Sequence, residues 1–327
     1  MEIADDIQYD VIGFGALNLD KLYTVDSIAC HDEESAILKE EYSPGGSAAN
    51  TIIGLAKLNL TTSYIGKIAN DKEGEILEYN LVKHNVYLNN LIYADEGVSG
   101  QALGFVDENG ERALYIQTGV NEDIDLGEIN LIELSRGKIL HYTSLFAKSF
   151  KTQKELIKLL PDSLKLSFDP GLIYAKLGVD ALKVILDRTD ILLINENELF
   201  VLFEEYYRKR DNIAEDEDLS FRDLALKIRD DGIETVVVKR SSKGAYGINS
   251  DDDEVKVPIF EVEPVDTTAA GDSFNAGFLY SYVNGFGLEK SITIGNWVAS
   301  RSVSGIGTSN FPDKKELDMF LQEYYGD

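Results

Sequence analysis

From about residue 130 onward, short apolar runs alternate with longer stretches in which apolar residues recur at helical spacing. The short runs lie at residues 138–142, 164–168, 191–194 and 235–239, and an earlier run at residues 10–15 ends in glycine. The helical stretches lie at residues 152–160, 180–187, 196–207 and 220–230. This alternation predicts an α/β fold with a mainly parallel central sheet and helices on both faces.

Two other segments show polar and apolar residues in alternation. The first spans residues 21–43, and the second spans residues 91–116, where Asn109 and Gly110 separate two apolar runs. An Asn-Gly pair between such runs is a strong signal of a β-hairpin. We therefore expect exposed strands that form a small second sheet. The expected division is a core of residues 1–16, 44–90 and 118–327, with the small sheet formed by residues 17–43 and 91–117.

Composition limits the function further. The 327 residues, 44% of them hydrophobic, suffice for one large domain with a small appendage. The net charge of −27 disfavours nucleic-acid binding, because phosphate backbones would be repelled. Cys30 is the single cysteine, which excludes an intramolecular disulfide. With no apolar run of transmembrane length and no signal-like start, we expect a cytoplasmic protein without membrane association.

Small residues lead into a helical pattern late in the chain. Ala269, Ala270 and Gly271 precede Asp272, and apolar residues then recur at every fourth position. The first amides of a helix lack carbonyl partners and lie at the positive end of its dipole, so they bind anions. A carboxylate beside them can take a proton from a hydroxyl that attacks the anion. The stretch favours phosphoryl transfer to an alcohol, although a first-turn carboxylate also stabilises a helix without any catalytic role.

A second small-residue segment, with Gly45, Gly46 and Asn50, leads into a helical pattern near the N-terminus. This Gly-Gly-x-x-x-Asn segment and the Asp-Thr-x-x-Ala-Gly-Asp segment that ends at Asp272 resemble the two signature motifs of the ribokinase-like, or PfkB, family of carbohydrate and nucleoside kinases. Both motifs occur in the family's order, and the resemblance covers essentially the whole chain. It implies a ribokinase-like fold in which the small β-sheet is a lid over the substrate site.

The resemblance also assigns roles to these residues. Asp272 would be the catalytic base, and the amides from Ala269 to Asp272 would stabilise the transferred phosphoryl group. Gly45, Gly46 and Asn50 would contact the acceptor.

Asn18 and Asp20 follow the first strand, where α/β sheets place their ligands, and both can bind hydroxyl groups. An Asp at this position holds the sugar in the family, while an Asx turn is the structural alternative. Arg112 would reach the substrate from the lid, or it would be only an exposed strand cation. The lid would also supply the contacts of a homodimer.

The segment from Asn195 to Glu198 matches the family's Asn-x-x-Glu motif, which organises Mg²⁺ through water near the phosphates. An acid-rich helix start is the structural alternative. Gly305 lies in a loop that resembles the family's adenine-binding region. Asp266 and Thr268 would hold a monovalent cation such as K⁺.

One segment departs from the family pattern. Lys239 stands near the Thr of the usual Thr-x-Gly-x-x-Gly segment, and Ser241 replaces its first glycine, whereas Gly244 is kept. We expect Lys239 or Arg240 to supply positive charge to the nucleotide phosphates. Because of this departure, both ATP and ADP remain open as phosphate donors.

The expected activity is transfer of the γ-phosphoryl group of ATP to a hydroxymethyl group of a sugar or ribonucleoside, with Mg²⁺ as cofactor. Asn18 and Asp20 suit a pentose or ribonucleoside. A sugar acid such as 2-keto-3-deoxygluconate would need Arg112 for its carboxylate, and a phosphosugar would need more basic residues than we can assign. A non-catalytic sugar- or nucleotide-binding regulator is the alternative of another class. A dehydrogenase is disfavoured, because Asn18 stands where the third glycine of a dinucleotide-binding motif would be.

Overall fold

The computed structural model describes residues 7–305 and 310–326. The strands of this part of the chain are β1 (Tyr9–Phe14), β2 (Asn18–Val25), β3 (Ile37–Gly45), β4 (Thr62–Ala69), β5 (Leu91–Ala94), β6 (Gly100–Val106), β7 (Arg112–Gln117), β8 (Gly137–Tyr142), β9 (Lys165–Phe168), β10 (Ile191–Asn195), β11 (Thr235–Lys239), β12 (Ala245–Asn249) and β13 (Glu254–Val257). Nine of them form a large sheet in the order β13-β12-β11-β10-β9-β8-β1-β4-β5.

Pairing in the large sheet is parallel from β5 to β11 and antiparallel only at the edge formed by β12 and β13. The central strands are apolar runs because both of their faces are covered. Along β10, Leu192 and Leu193 point into two different hydrophobic clusters on opposite faces of the sheet. The predicted mainly parallel sheet is confirmed.

Helices cover both faces of the sheet. They are α1 (Ser47–Lys57), α2 (Lys72–Lys83), α3 (Leu131–Leu134), α4 (Ala147–Leu156), α5 (Gly171–Ala175), α6 (Val179–Leu186), α7 (Glu196–Asp211), α8 (Phe221–Asp230), α9 (Ala270–Val283), α10 (Leu288–Val303) and α11 (Lys314–Tyr325). Helices α4 to α8 contribute to one cluster, and α1, α2, α9, α10 and α11 contribute to the other. Within the described residues, no helix has the length and apolarity needed to cross a bilayer.

The alternating segments form the separate small sheet that they predicted, with strand order β3-β2-β6-β7, and this sheet is the lid that the resemblance implied. Strand β2 pairs antiparallel with β3 and parallel with β6, and β6 and β7 form a hairpin. Gly110 lies in the hairpin turn, where its N–H donates to the Asp107 carbonyl at 3.1 Å. Arg112 pairs with Val106 at the start of β7, but its side chain lies outside the described part of the structure.

One part of the expected lid belongs to the core instead. Residues 91–94 form β5, which pairs in parallel with β4 at the edge of the large sheet, with Leu91 opposite Gly66. Leu91 and Ile92 are both buried, as two successive residues are when both faces of a strand are covered. The expectation was wrong here because a short apolar run has the same local pattern in a lid strand and in a core edge strand.

The helix that carries Asp272 is packed among other elements. Strand β13 ends at Val257, and α9 is buried on all sides from Ser273 to Ser281. The small residues of this helix face other helices: a Cβ at Gly277 would lie 2.9 Å from the Ile294 carbonyl oxygen on α10.

Asp71 caps α2, as its position before the helix predicts. Its Oδ1 accepts a 2.7 Å hydrogen bond from the Gly74 N–H. The carboxylate also accepts hydrogen bonds from the Ser99 N–H and hydroxyl. Asp71 therefore joins α2 to the chain that enters β6 and has a structural role.

Replacement of Gly277 by alanine is expected to lower the free energy of unfolding. Overpacking against α10 costs about 1–3 kcal/mol, of which the higher helix propensity of alanine offsets up to about 1 kcal/mol. Urea denaturation measures the net change. Gly127→Ala is the control, because its Cβ would meet Asp125 Oδ1 at an ordinary 3.5 Å. A more stable Gly277→Ala variant would contradict the tight packing of α9 on α10.

Candidate active site

The two signature segments meet at the N-termini of α1 and α9. Asn50 Nδ2 donates a 2.8 Å hydrogen bond to Asp272 Oδ2, and the Thr51 hydroxyl donates to the Asp272 carbonyl at 3.2 Å. One turn further along, a Cβ at Gly54 would lie only 2.7 Å from the Ala276 Cβ, so the helices approach closely. The candidate acceptor residue and the candidate base are therefore direct neighbours.

Gly45 and Gly46 each have a local structural reason. A Cβ at Gly45 would lie 2.3 Å from Asp20 Oδ2. Gly46 has a φ of 112°, which favours glycine, and a Cβ there would lie 2.1 Å from the Ala16 carbonyl oxygen. The glycine pair thus brings the Asp20 carboxylate and the chain after β1 against the start of α1.

Asn18 lies at the base of the lid and is held by a residue that sequence reasoning missed. Asn121 Nδ2 donates to Asn18 Oδ1 at 3.0 Å and to the Leu17 carbonyl at 2.8 Å. The Leu17 N–H donates in return to Asn121 Oδ1 at 3.0 Å. Asn121 is buried in a 3-10 turn, 103 positions after Asn18. No motif surrounds it, so the sequence carries no local signal of this contact.

The amides at the start of α9 are partly engaged within the chain. Ala269 has a left-handed φ of 59°, a conformation that costs a non-glycine residue about 1–2 kcal/mol. The Ala270 N–H donates to the Thr267 carbonyl at 3.2 Å. The amides of Gly271 and Asp272 follow in the first turn, where a helix supplies no carbonyl partner. An anion bound at this helix start would therefore use these two amides.

The pKa of the Asp272 carboxyl is raised to about 7. Burial is the main cause, because it disfavours the charged form, and the nearby Asp169 carboxylate adds to it. Hydrogen bonds from Asn50 and Ser47 and the charge of Lys239 act in the opposite direction. A carboxyl with this pKa can accept a proton at neutral pH, as a general base must.

A buried ion pair lies beside Asp272. Lys239 Nζ donates to Asp169 Oδ2 at 2.7 Å and to Asn275 Oδ1 at 3.1 Å, and Asn275 Nδ2 donates to Asp169 Oδ2 at 2.7 Å. Although burial raises the pKa of Asp169, the Lys239 ammonium holds it below its usual value. The sequence indicated that Lys239 supplies charge near phosphate, but it gave no sign of the pairing with Asp169.

Asn195 ends β10 and caps α7. Its side chain accepts a 2.9 Å hydrogen bond from the Glu198 N–H, and its own N–H donates to Glu198 Oε2 at 3.1 Å, which is a capping box. Burial and the charge of Asp169 raise the pKa of Glu198. The described residues contain no cluster of three or more His, Cys, Asp or Glu side chains able to hold a metal. Oxygen ligands that act through water suit Mg²⁺, so Asn195 and Glu198 fit an outer-shell site.

The turn after β11 is strained. Ser241, which stands in place of a glycine, has a left-handed φ of 50°. Gly244 has a φ of 81°, and a Cβ there would lie 2.0 Å from the Val257 carbonyl oxygen. Arg240 stacks over the Phe221 ring at 3.8 Å from its centroid and pairs with Glu196 at 3.3 Å. Arg240 is thus held outside the Lys239 cluster.

Three other candidate residues lie in the turn before α9 and in the loop after α10. The Thr268 N–H donates to Asp266 Oδ1 at 2.8 Å, which orders the turn proposed for a monovalent cation. The Gly305 N–H donates to the Ser302 carbonyl at 3.3 Å. Residues 306–309 of the same loop lie outside the described part of the chain.

Residues 10–315 match the pfkB family carbohydrate kinases. The chain belongs to this family. A sugar kinase of Archaeoglobus fulgidus, itself uncharacterized, is 38% identical to this pfkB-family protein over 78% of the present chain and 96% of the relative. The ATP-dependent ribose-1-phosphate kinase of Halopiger xanaduensis is 28% identical over 96% of the chain and 99% of the relative.

The structure is also similar to that of a solved ribokinase. The structure of ribokinase from Thermotoga maritima superposes with a TM-score of 0.82 at 26% identity, covering 96% of this chain and 99% of the ribokinase. The expected ribokinase-like α/β fold with a lid sheet is confirmed. The protein is a carbohydrate or nucleoside kinase of the pfkB family.

Asp272→Asn is expected to flatten the pH dependence of stability. The folded protein binds a proton at Asp272 more tightly than the unfolded chain, so this group's contribution is fully present below pH 3.8 and is lost as the pH rises through about 7. An asparagine side chain does not titrate, so the variant does not lose this stability as the pH rises. In urea denaturation, the variant should therefore gain more stability over wild type at about pH 8 than at about pH 5. An equal difference at both pH values would show that the Asp272 pKa is not raised.

Proposed function

We propose that this kinase transfers the γ-phosphoryl group of ATP to a hydroxymethyl group of a sugar or ribonucleoside, with Asp272 as the general base. The observation that carries the proposal is the Asp272 carboxyl itself. It lies in the first turn of α9, it accepts a hydrogen bond from Asn50, and its pKa is raised to about 7. A base and two helix-start amides beside the acceptor segment are what phosphoryl transfer to an alcohol requires.

In the proposed reaction, Asp272 takes the proton of the acceptor hydroxyl while its oxygen bonds to the γ-phosphorus. The bond from phosphorus to the bridging oxygen breaks, and ADP leaves with that electron pair. The transition state of such transfers is loose, so positioning and electrostatic stabilisation supply most of the catalysis. The Gly271 and Asp272 amides stabilise the charge on the transferring group, and Asn50 orients the base.

Asn195 and Glu198 are the proposed outer-shell ligands of Mg²⁺, which when bound neutralises phosphate charge. Asp266 and Thr268 are the proposed residues for K⁺. Gly305 and Gly244 are proposed to line the nucleotide site with Lys239 and Ser241, as in the resembled family.

On the acceptor side we propose that Asn18, Asp20, Gly45, Gly46 and Asn50 bind hydroxyl groups and that Arg112 is a substrate-binding residue of the lid. The carboxylates of Asp20 and Asp272 disfavour a phosphorylated acceptor, because like charges repel. The similarity to a ribose-1-phosphate kinase keeps a phosphosugar as the second candidate. A sugar acid and ADP as donor remain alternatives.

The lid is also the proposed surface of a homodimer. Its outermost strands carry large apolar side chains that are exposed in the single chain, among them Ile37, Leu38, Tyr42 and Tyr115. Exposed apolar groups on strands at a sheet edge are typical of surfaces that another chain covers.

Asp272→Asn should lower kcat by about 10²–10⁴-fold or more while ATP binding is kept, because only proton removal is lost. Steady-state kinetics give kcat, and calorimetry without acceptor gives the Kd of ATP. Turnover near that of wild type would remove Asp272 as the base.

The acidic limb of the kcat/KM profile should report the same carboxyl. We expect kcat/KM to fall about tenfold per pH unit below pH about 7, as Asp272 becomes protonated. Asn50→Ala removes a hydrogen bond that favours the ionised form, so it should move this limb to higher pH. A limb that stays in place, or that moves to lower pH, would contradict the assignment.

A screen of purified protein against sugars, sugar acids, sugar phosphates and nucleosides, with ATP and ADP in parallel, identifies the acceptor and the donor. Product phosphate ester is the readout. A blank with every acceptor, together with intact ATP binding, would favour the regulator instead of the kinase.

A further inference from the structure

Lys239 places an ammonium group beside the first turn of α9. A Cβ at Gly271 would lie 3.6 Å from Lys239 Nζ, which is an ordinary contact distance. An ammonium has three N–H donors. Asp169 Oδ2 and Asn275 Oδ1 accept two of them. Among the described residues no third acceptor lies within hydrogen-bond distance, so one donor remains for a ligand.

Asp169 and Asn275 hold this ammonium in a closed ring of three hydrogen bonds. Asn275 Nδ2 donates to the same Asp169 oxygen that accepts from Lys239. The other Asp169 oxygen accepts from the Gly171 N–H at 3.2 Å. The ring also fixes the Asn275 amide, because its oxygen faces the ammonium and its NH₂ group faces the carboxylate. The Lys239 head group therefore has one defined position.

The sheet explains why Asp169 is the partner. Asp169 follows β9 and Lys239 ends β11, while β10 lies between these two strands. The ion pair thus spans the carboxyl end of β10, where Asn195 starts α7. The two side chains are only 11% and 13% exposed. A lone charge in such a place is costly, so each of the two requires the other.

The charges around the ammonium are mostly negative. Burial lowers the pKa of Lys239, but the carboxylates of Asp169, Glu198 and Asp272 outweigh burial and raise it, so the ammonium stays charged at neutral pH. A polyphosphate that enters a site with these three carboxylates is repelled unless a cation meets it. Lys239 is a cation at the helix start where the transferred group is expected.

We propose that Asp169 and Asn275 are positioning residues that hold the Lys239 ammonium against the start of α9, where it binds an oxygen of the transferring phosphoryl group together with the Gly271 and Asp272 amides. Lysine forms no covalent bond in this role and contributes one hydrogen bond and one positive charge. This inference rests on the proposed phosphoryl transfer and adds to it the residues that prepare the anion site.

The test compares Lys239→Met, Asp169→Asn and the double variant with wild type. Lys239→Met should lower kcat by about 10²–10³-fold, as the loss of one preorganised donor does. Asp169→Asn should lower kcat by about 10–100-fold, as the loss of a supporting partner does, while the acceptor KM changes little. The double variant should be no slower than Lys239→Met, because Asp169 acts only through Lys239.

Glu234→Gln is the matched control. Glu234 precedes β11 and pairs at 2.6 Å with Lys165, the first residue of β9. The control thus removes one carboxylate from a lysine pair that joins the same two strands, at their amino-terminal ends instead of their carboxyl-terminal ends. It should leave kcat close to that of wild type. Urea midpoints for all variants show whether each one is folded.

The outcomes separate the possibilities. If Asp169 were only a carboxylate near the phosphates, its neutralisation would relieve repulsion, and kcat and ATP affinity would stay equal or rise. That result, or multiplied losses in the double variant, would overturn the proposal. If Asp169→Asn does not fold, the double variant is compared with Lys239→Met alone: an equal kcat supports the proposal, and a lower or higher kcat overturns it.

Calorimetry with ATP alone gives a readout that does not depend on turnover. Lys239→Met should weaken ATP binding relative to Glu234→Gln, and the added Asp169→Asn should weaken it no further. Unchanged ATP binding in Lys239→Met would overturn the contact with phosphate. Absence of phosphoryl transfer in wild type would overturn the proposed function and leave this binding comparison intact.

Discussion

The contact between the first turns of α1 and α9 is the constraint on which the rest of the site depends. Asn50 and Asp272 are 222 positions apart and share a 2.8 Å hydrogen bond. The contact is possible because Gly54 and Ala276 are small enough to let the two helices pack closely. A Cβ at Gly54 would lie only 2.7 Å from the Ala276 Cβ. Close packing of this kind tolerates very little change in volume, so it fixes the proposed base relative to the proposed acceptor segment.

Buried carboxylates and one buried ammonium group surround this contact and set its electrostatics. Asp169, Glu198 and Asp272 lie close enough to influence one another, and Lys239 is the ammonium among them. Their environments shift the pKa values of Asp169 and Asp272 in opposite directions. Pairing with Lys239 lowers the pKa of Asp169, whereas burial raises the pKa of Asp272. Pairs of like groups whose pKa values are pushed apart in this way are typical of acid–base sites. In a chain with a net charge of −27, we expect phosphate binding to depend on backbone amides and a few placed cations.

Two strained backbone positions lie where phosphate is expected. Ala269 and Ser241 both have left-handed backbone conformations without being glycine. Ala269 precedes the helix-start amides, and Ser241 lies two residues after Lys239. Such conformations persist only where the surrounding structure imposes them, and they cluster at functional sites. Each of these two residues breaks a local backbone preference beside a residue that we assign to phosphate.

Periodicity and the two motifs determined the fold class, the small sheet, the family and the segments that we assign to the site, because these properties are encoded in local spacing. The same local signals could not assign residues 91–94 to the core, because a short apolar run has the same sequence pattern in the large sheet and in the small one. The pairing of Asp169 with Lys239 and the support of Asn18 by Asn121 were also decided only by tertiary structure. Each joins residues from distant strands or turns, and only the folded arrangement of these elements determines which side chains meet.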